Sequence, residues 1–247
     1  MIIQTIDELY NTKIYVKENS TVSFAHPEKY VEPFIQRIGV PRDRFSVKVA
    51  DPVTNQNDDG STNIAYPRVV VEADLQHEVS GHQSIIGMLY ALDLSKPYIS
   101  VYNGKIASAC TNLHIFNADH LHRVELLGGI NSVYDYAEKY FNNFEAESAE
   151  FERTIQELTE RYFEHEEYIK MLGKSLQYAI KTKKLGTSAV IFAANQLEDS
   201  KSKYSLDDNG GTTAWNLFGA MTQYVTDKVS IIEKPSKTLE IAKLFTN

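Results

Sequence analysis

Four side chains that can bind metal ions lie within nine residues of each other near the middle of the sequence. They are His114, Asp119, His120 and His122. Imidazole and carboxylate groups bind zinc, iron or nickel, and His120 and His122 share one face if the segment is a strand. The spacing follows no ordered ligand motif, and Asp119 is also suited to capping a following helix. The pattern leaves open a metal site and a polar strand-to-helix junction.

Two further histidines, His77 and His82, flank a Glu-Val-Ser-Gly segment. Metalloprotease helices place their histidines four residues apart, so that both side chains project from one face. His77 and His82 are five residues apart, which puts them about 140° out of phase on a helix. Gly81 also weakens any helix at this position. We therefore predict a surface turn here.

Positive charge is concentrated in two stretches of the chain. The first holds Lys170, Lys174, Lys181, Lys183 and Lys184, followed by Lys201 and Lys203, and the second holds Arg37, Arg42 and Arg44. Lysines at the end of a helix stabilise its dipole, but they also suit contacts with phosphate. The chain has 15 tyrosines, and the bases of single-stranded nucleic acid stack on aromatic rings. The candidate nucleic-acid contacts are Lys170, Lys174, Lys181, Lys183, Lys184, Arg42 and Arg44.

Sequence motifs of nucleotide-binding and hydrolytic enzymes are absent. The sequence has no phosphate-binding loop, no dinucleotide-binding fingerprint and no nucleophile elbow. The acidic pairs Asp58-Asp59 and Asp207-Asp208 lie in turn-forming stretches and are weak candidates for a two-metal nuclease. We predict no catalytic residue and no cofactor, and we favour a protein that is not an enzyme.

An apolar stripe runs from Ile130 to Ala179 in alternating steps of four and three residues. A 3.5-residue repeat keeps side chains on one seam of a helix. Over about residues 130–184 the stripe predicts either one helix of about 75 Å or a helical hairpin broken at Asn142-Asn143 or Ser148. Whether the seam packs within or between chains stays open. His165 lies on the seam, and a histidine buried there would need a polar partner.

Residues 45–116 predict an antiparallel β-meander. Alternating and apolar runs indicate strands at 45–49, 66–73, 98–102 and 105–110, and 85–94 as strand or helix. Asn103-Gly104 is the strongest two-residue hairpin signal, and 51–63 consists of turn formers.

A C-terminal helix over about 212–228 starts with a cap at Thr212 or Thr213; its apolar face carries Trp215, Phe218, Thr222 and Val225. We predict a single α+β domain over 1–247, with a long helix at 130–184 that can protrude.

Composition indicates a soluble protein. The net charge of −8 is evenly spread and repels phosphate, so a nucleic-acid role needs a local basic patch. The single cysteine, Cys110, excludes an internal disulfide framework and fits a reducing compartment. The amphipathic, acidic N-terminus is not that of a signal peptide, and no apolar run approaches the roughly 18 residues that span a bilayer. We predict a cytoplasmic protein without membrane contact.

Two short stretches carry a family resemblance. One runs from Val101-Tyr102 through Ala109-Cys110-Thr111-Asn112-Leu113; the other is Asn209-Gly-Gly-Thr-Thr-Ala-Trp215-Asn-Leu-Phe-Gly-Ala-Met-Thr222-Gln-Tyr224-Val225-Thr226. Together they resemble the phage/plasmid-like protein family, the domain of unknown function 932. Its members end in a Thr-x-Trp-x-Leu-x-x-Ala-x-Thr-Glu-Tyr-Val helix and carry a Cys-Ser-Asn-Gly-Leu-like segment before a long helical region. Gln223 replaces the common acidic residue, and the first stretch lacks the glycine.

The resemblance spans roughly residues 25–230 and implies a gene carried by phages, prophages or plasmids, hence location in the host cytoplasm. It implies no established catalytic residue. A meander followed by a long helix is also similar, at the level of fold alone, to ring-forming single-strand annealing proteins.

Three functions remain open from the sequence. The first is binding or annealing of single-stranded nucleic acid by a homo-oligomer from a phage or mobile element. The second is a non-catalytic virion or host-interaction protein, acting in host takeover or against a host defence. The third is a metal-dependent enzyme built on His114, Asp119, His120 and His122.

Overall fold

The computed structural model describes residues 4–12, 26–50, 52–56, 62–93, 95–109, 111–126 and 129–246. Its strands are β1 (Phe45–Ala50), β2 (Val53–Gln56), β3 (Thr62–Ala65), β4 (Arg68–Val79), β5 (His82–Ala91), β6 (Tyr98–Ala107), β7 (Leu113–His114), β8 (Leu121–Glu125), β9 (Tyr162–Phe163) and β10 (Thr212–Thr213). Its helices are α1 (Ile6–Tyr10), α2 (Glu28–Ile38), α3 (Asn131–Glu160), α4 (His165–Thr182), α5 (Thr187–Glu198), α6 (Ala214–Lys228) and α7 (Lys234–Thr246). The fold is α+β, with an antiparallel meander, a long helix and a C-terminal helix, which confirms the predicted class.

The main sheet has six strands in the order β1-β4-β5-β6-β7, and β8 pairs with β6 on the same side as β7. All its pairs are antiparallel. A separate hairpin, β2 with β3, occupies part of the predicted loop at 51–63. Positions 51 and 57–61 of that loop lie outside the described residues.

The hairpin turn predicted at Asn103-Gly104 is wrong, because β6 runs straight through it. Asn103 pairs with Ile86 of β5, and Gly104 pairs with Ile85. A Cβ at Gly104 would lie 2.9 Å from the Leu113 side chain, so the glycine permits close packing of β7 rather than a turn. The chain turns after β6 instead, and Cys110, the predicted end of a return strand, lies outside the described residues.

The turn predicted between His77 and His82 is confirmed. Ser80 and Gly81 are exposed and join β4 to β5 with φ angles of 50° and 72°. A tight antiparallel hairpin favours two positive φ angles of this kind.

One face of the sheet packs against α2 and the first half of α3. Side chains alternate along β4 and β5, so every second residue enters this core. Its buried members from the two strands are Val69, Val71, Ala73, Leu75, Ile86, Met88 and Tyr90, and those from the helices include Tyr30, Phe34, Ile38, Val133, Tyr134 and Ala137. Removal of this apolar surface from water is the main favourable term in folding.

The long helical region is broken, but not where the sequence predicts. α3 continues through Asn142-Asn143 and Ser148 to Glu160, so it is about 45 Å long. After it, β9 pairs with β10, and Glu164 starts α4 with a capping box. Gly211 lies so close to this break that a Cβ would be 1.9 Å from the Tyr162 hydroxyl. The break therefore depends on a segment that comes much later in the chain.

The apolar stripe packs within the chain along α3, where Tyr134, Phe151 and Leu158 are buried. Beyond the break its phase shifts. The buried residues of α4 are Tyr168, Met171, Ser175 and Ala179. His165 is exposed, with its Nδ1 3.3 Å from the carbonyl oxygen of Gly210. The continuous rod that would bury this histidine does not form.

A second core joins the end of α3 to the helices α4–α7. The Thr213 hydroxyl accepts a hydrogen bond from the Asn216 amide at 3.1 Å, which confirms a cap at Thr213. Of the four residues on the predicted face of α6, Phe218, Thr222 and Val225 are buried and Trp215 is half-buried. Within the described ranges, no helix is both long and apolar enough to cross a bilayer.

Gly87 lies against the ring of Tyr102, and a Cβ there would be 2.1 Å from the ring carbon Cζ. We expect Gly87→Ala to displace this buried tyrosine and to lower the free energy of unfolding by about 1–3 kcal/mol. The control is Gly173→Ala, in an exposed stretch of α4 with nothing within 4 Å of an added Cβ. Its free energy of unfolding, measured with urea, should rise by about 0.5–1 kcal/mol. An unchanged midpoint for Gly87→Ala would contradict this packing.

Candidate functional site

The five candidate lysines are all exposed and lie on α4 or just after it. Residues 168–197 contain these five lysines and no aspartate or glutamate. The whole chain has a net charge of −8, so this stretch carries local charge of the opposite sign. We call the exposed side of α4 with Lys183 and Lys184 the lysine face.

The lysine face is built by helical periodicity. One side of α4 packs against the second core, through the buried residues Tyr168, Met171, Ser175 and Ala179. Lys170, Lys174 and Lys181 follow at steps of four and seven on the exposed side. Their backbone positions span about 17 Å along the helix axis.

Most of this charge is not neutralised by neighbours. Lys170 lies 3.8 Å from Glu166, and both side chains are exposed, so the pair is weak. Within the described part of the chain, Lys174, Lys181 and Lys183 have no carboxylate within 4.0 Å. Lys237 of α7 adds a further cation, because its ammonium group donates to the Lys184 carbonyl oxygen.

The predicted arginines belong to another part of the molecule. Arg42 lies 2.7 Å from Glu32 and 3.7 Å from Asp7, and its guanidinium lies over the Tyr10 ring. Arg44 is half-buried beside the start of β1. Because Arg42 is paired with two carboxylates, the structure does not favour it as a phosphate contact.

The four predicted metal ligands do not converge on one point. His114 is buried between Trp215 and Phe218, with ring centroids 5.2 and 5.1 Å away. Burial, and then the neighbouring His82, hold the pKa of His114 well below its usual range. His122 instead stacks on Tyr136 at 3.7 Å.

Asp119 and His120 form a short 3-10 turn before β8. Asn117, not Asp119, caps this turn through the Asp119 amide. His120 lies 3.3 Å from Glu147 of α3. Across the residues that the structure describes, no three or more His, Cys, Asp or Glu side chains are grouped to hold a metal ion.

A buried polar cluster centred on Lys105 was missed by sequence reasoning. Its ammonium group donates to the Ser84 hydroxyl at 2.6 Å and to the Ser148 hydroxyl at 2.5 Å. Asn103 donates to Glu147 in the same cluster. The signal in the sequence is a lysine inside an apolar strand, which the predicted turn at Asn103-Gly104 disguised.

The cluster contains groups with shifted acidities. Burial lowers the pKa of Lys105 to about 8 and lowers that of His120, whereas burial raises the pKa of Glu147. Such groups can exchange protons. The cavity that they line measures only about 20 Å³, enough for about one water molecule. The cluster therefore suits an internal link between α3 and the sheet better than a substrate site.

Comparisons with protein-family models, with curated proteins and with solved structures find no match to this chain.

Stability should depend on pH through Lys105. Its pKa is about 8 in the folded chain and 10.5 in the unfolded one, so between these values the unfolded chain binds more protons and stability rises with pH. Between pH 8 and about 9.5, we expect the free energy of unfolding of the wild type to rise by up to about 2 kcal/mol relative to that of Lys105→Met. This interval lies below the pH at which tyrosines ionise. Urea unfolding at each pH measures this difference. Parallel pH profiles for the two proteins would contradict a buried ammonium group.

Proposed function

We propose that this protein binds single-stranded nucleic acid through the lysine face. The observation that carries the proposal is the run of 30 residues, 168–197, with five lysines and no acidic residue. Phosphate contacts by lysine release condensed counterions and supply most of the affinity in binding without sequence preference. An exposed, largely unpaired set of ammonium groups on one rigid helix meets that requirement.

The overall charge of −8 restricts where a strand can lie. Phosphates are repelled by most of the surface and attracted to the lysine face, so the protein's field orients the encounter. Each copy offers a stripe of about 17 Å, which contacts few phosphates. Useful affinity therefore requires several copies on one strand, and this favours a homo-oligomer.

The proposed biological setting is a phage or mobile element, with action in the host cytoplasm. Its support is the sequence resemblance described above, carried by the mid-chain Cys110-Thr-Asn-Leu segment and by the Trp215 helix. Single-strand binding or annealing is a function that such an element can use during its replication or recombination.

A second candidate function is binding of an acidic host or virion protein by the same surface. It is favoured by exposed isoleucines: Ile169 is 48% exposed, Ile180 60% and Ile191 55%. Apolar side chains next to lysines fit a protein interface, in which apolar contact supplies affinity and charge supplies selectivity. Ile169→Ser with Ile180→Ser should abolish binding of a protein partner but leave nucleic-acid binding nearly unchanged.

The primary test is binding of a fluorescent single-stranded DNA across a salt series. We expect Lys174→Gln with Lys181→Gln to weaken binding and to make the slope of log affinity against log salt shallower by about 1.4, since each single-strand phosphate contact contributes about 0.7. Lys96→Gln is the control, because Lys96 is exposed and lies in another part of the fold, near Glu125.

No binding by the wild type at about 50 mM salt would eliminate the proposal, because phosphate-driven binding is strongest there. An equal loss in Lys96→Gln would instead show general charge attraction. Light scattering of the free and bound protein measures the expected oligomer.

A further inference from the structure

A groove of about 430 Å³ lies on the face of the sheet opposite α3. The end of α6, the start of α7 and the segment that joins them form one wall, and the sheet forms the floor. Its apolar lining residues are Val70, Ile106, Leu113, Ile231 and Pro235. This volume is within the usual range for small-molecule sites, which are mostly apolar with a few placed polar groups.

Two ammonium groups line the groove, from Lys48 of β1 and Lys234 of α7. Lys48 forms an ion pair with Glu72, and Lys234 donates to the Thr226 carbonyl oxygen at 2.7 Å. Burial, and then the charge of Lys48, lower the pKa of Lys234. The two cations are therefore close enough to repel each other.

Among the described residues that line this groove, Glu72 is the only acidic one. One of its oxygens accepts from the Tyr102 hydroxyl at 2.6 Å, and the other accepts from Lys48. Two lysines and one glutamate give the described lining of the groove one net positive charge, and Asp227, outside this lining, also acts on Lys234. An anion placed beside Lys234 would balance this charge and reduce the repulsion from Lys48.

The backbone next to the groove is strained. Thr111, which also lines it, is exposed and has a φ of 54°. A β-branched residue rarely adopts this left-handed conformation, and strain of this kind is concentrated at ligand sites. The conformation brings a hydroxyl-bearing residue to the same rim as the two lysines.

We propose that this groove binds a small molecule that carries one anionic group on a flat apolar body. The anionic group lies between Lys234 and Lys48, and the apolar body lies on the floor formed by Val70, Ile106 and Leu113. The groove and the lysine face use different residues, so this site is independent of the proposed nucleic-acid binding.

The test uses 1-anilinonaphthalene-8-sulfonate, a fluorescent probe with a flat apolar body and one sulfonate. Its uncharged analogue N-phenyl-1-naphthylamine lacks the sulfonate. We expect saturable binding of one sulfonate probe per chain, weakened at least about tenfold by Lys234→Met, because the charge-assisted contact is lost. Binding of the uncharged analogue should be weak and unaffected by this substitution. Lys237→Met is the matched control, since Lys237 is on the same helix but outside the groove lining, and it should not change the binding.

A second variant keeps the test independent of charge and folding. Ile106→Trp fills the floor of the groove without removing a lysine, and we expect it to abolish probe binding while the unfolding midpoint and the far-ultraviolet circular dichroism spectrum are retained. Undiminished probe binding in Lys234→Met or in Ile106→Trp would overturn the proposal. So would loss of probe binding in Ile180→Ser, because the probe would then lie on the exposed isoleucines of α4.

Discussion

The ammonium group of Lys105 connects the elements on which the rest of the structure depends. Lys105 lies on β6 and is 3% exposed, and its ammonium group donates hydrogen bonds to Ser84 of β5 and Ser148 of α3. A buried charge is costly unless every hydrogen bond is made. The two serines therefore link α3 to the sheet at this buried point. α3 contributes to both large cores, at Tyr134 near its start and at Leu158 near its end, so this placement also positions the helices that follow.

Local sequence patterns predicted what depends on neighbours in the chain. The meander, the Ser80-Gly81 turn, the Thr213 cap and the buried face of α6 follow from alternation, turn chemistry and helical period. Local sequence patterns gave wrong predictions where a segment distant in the sequence determines the structure. Asn103-Gly104 is a hairpin signal on its own. In the fold it lies inside a strand, where Leu113 packs against Gly104 and Glu147 accepts a hydrogen bond from Asn103. The heptad stripe continues through 161–164, but pairing with β10 ends the helix there.

The same distinction applies to the candidate sites. Exposure of the lysines on α4 could be predicted, because an amphipathic helix turns its charged side to solvent. Proximity in sequence did not predict a common site for His114, Asp119, His120 and His122, because they are divided between β7, a 3-10 turn and β8. The groove at Lys48 and Lys234 joins residues from opposite ends of the chain. Nothing in a single sequence indicates that pairing.

The two-residue pairing of β9 with β10 has a consequence for synthesis of the chain. Residues 161–164 and the whole of α4 leave the ribosome before Thr212 and Thr213 do. Until β10 emerges, β9 has no strand to pair with, and only the local capping box at Glu164 marks the break between the two helices. Arrival of β10, with the Ala214 amide donating to the Arg161 carbonyl oxygen, completes the junction. The final structure of the α3–α4 junction therefore depends on a segment that is synthesised after it.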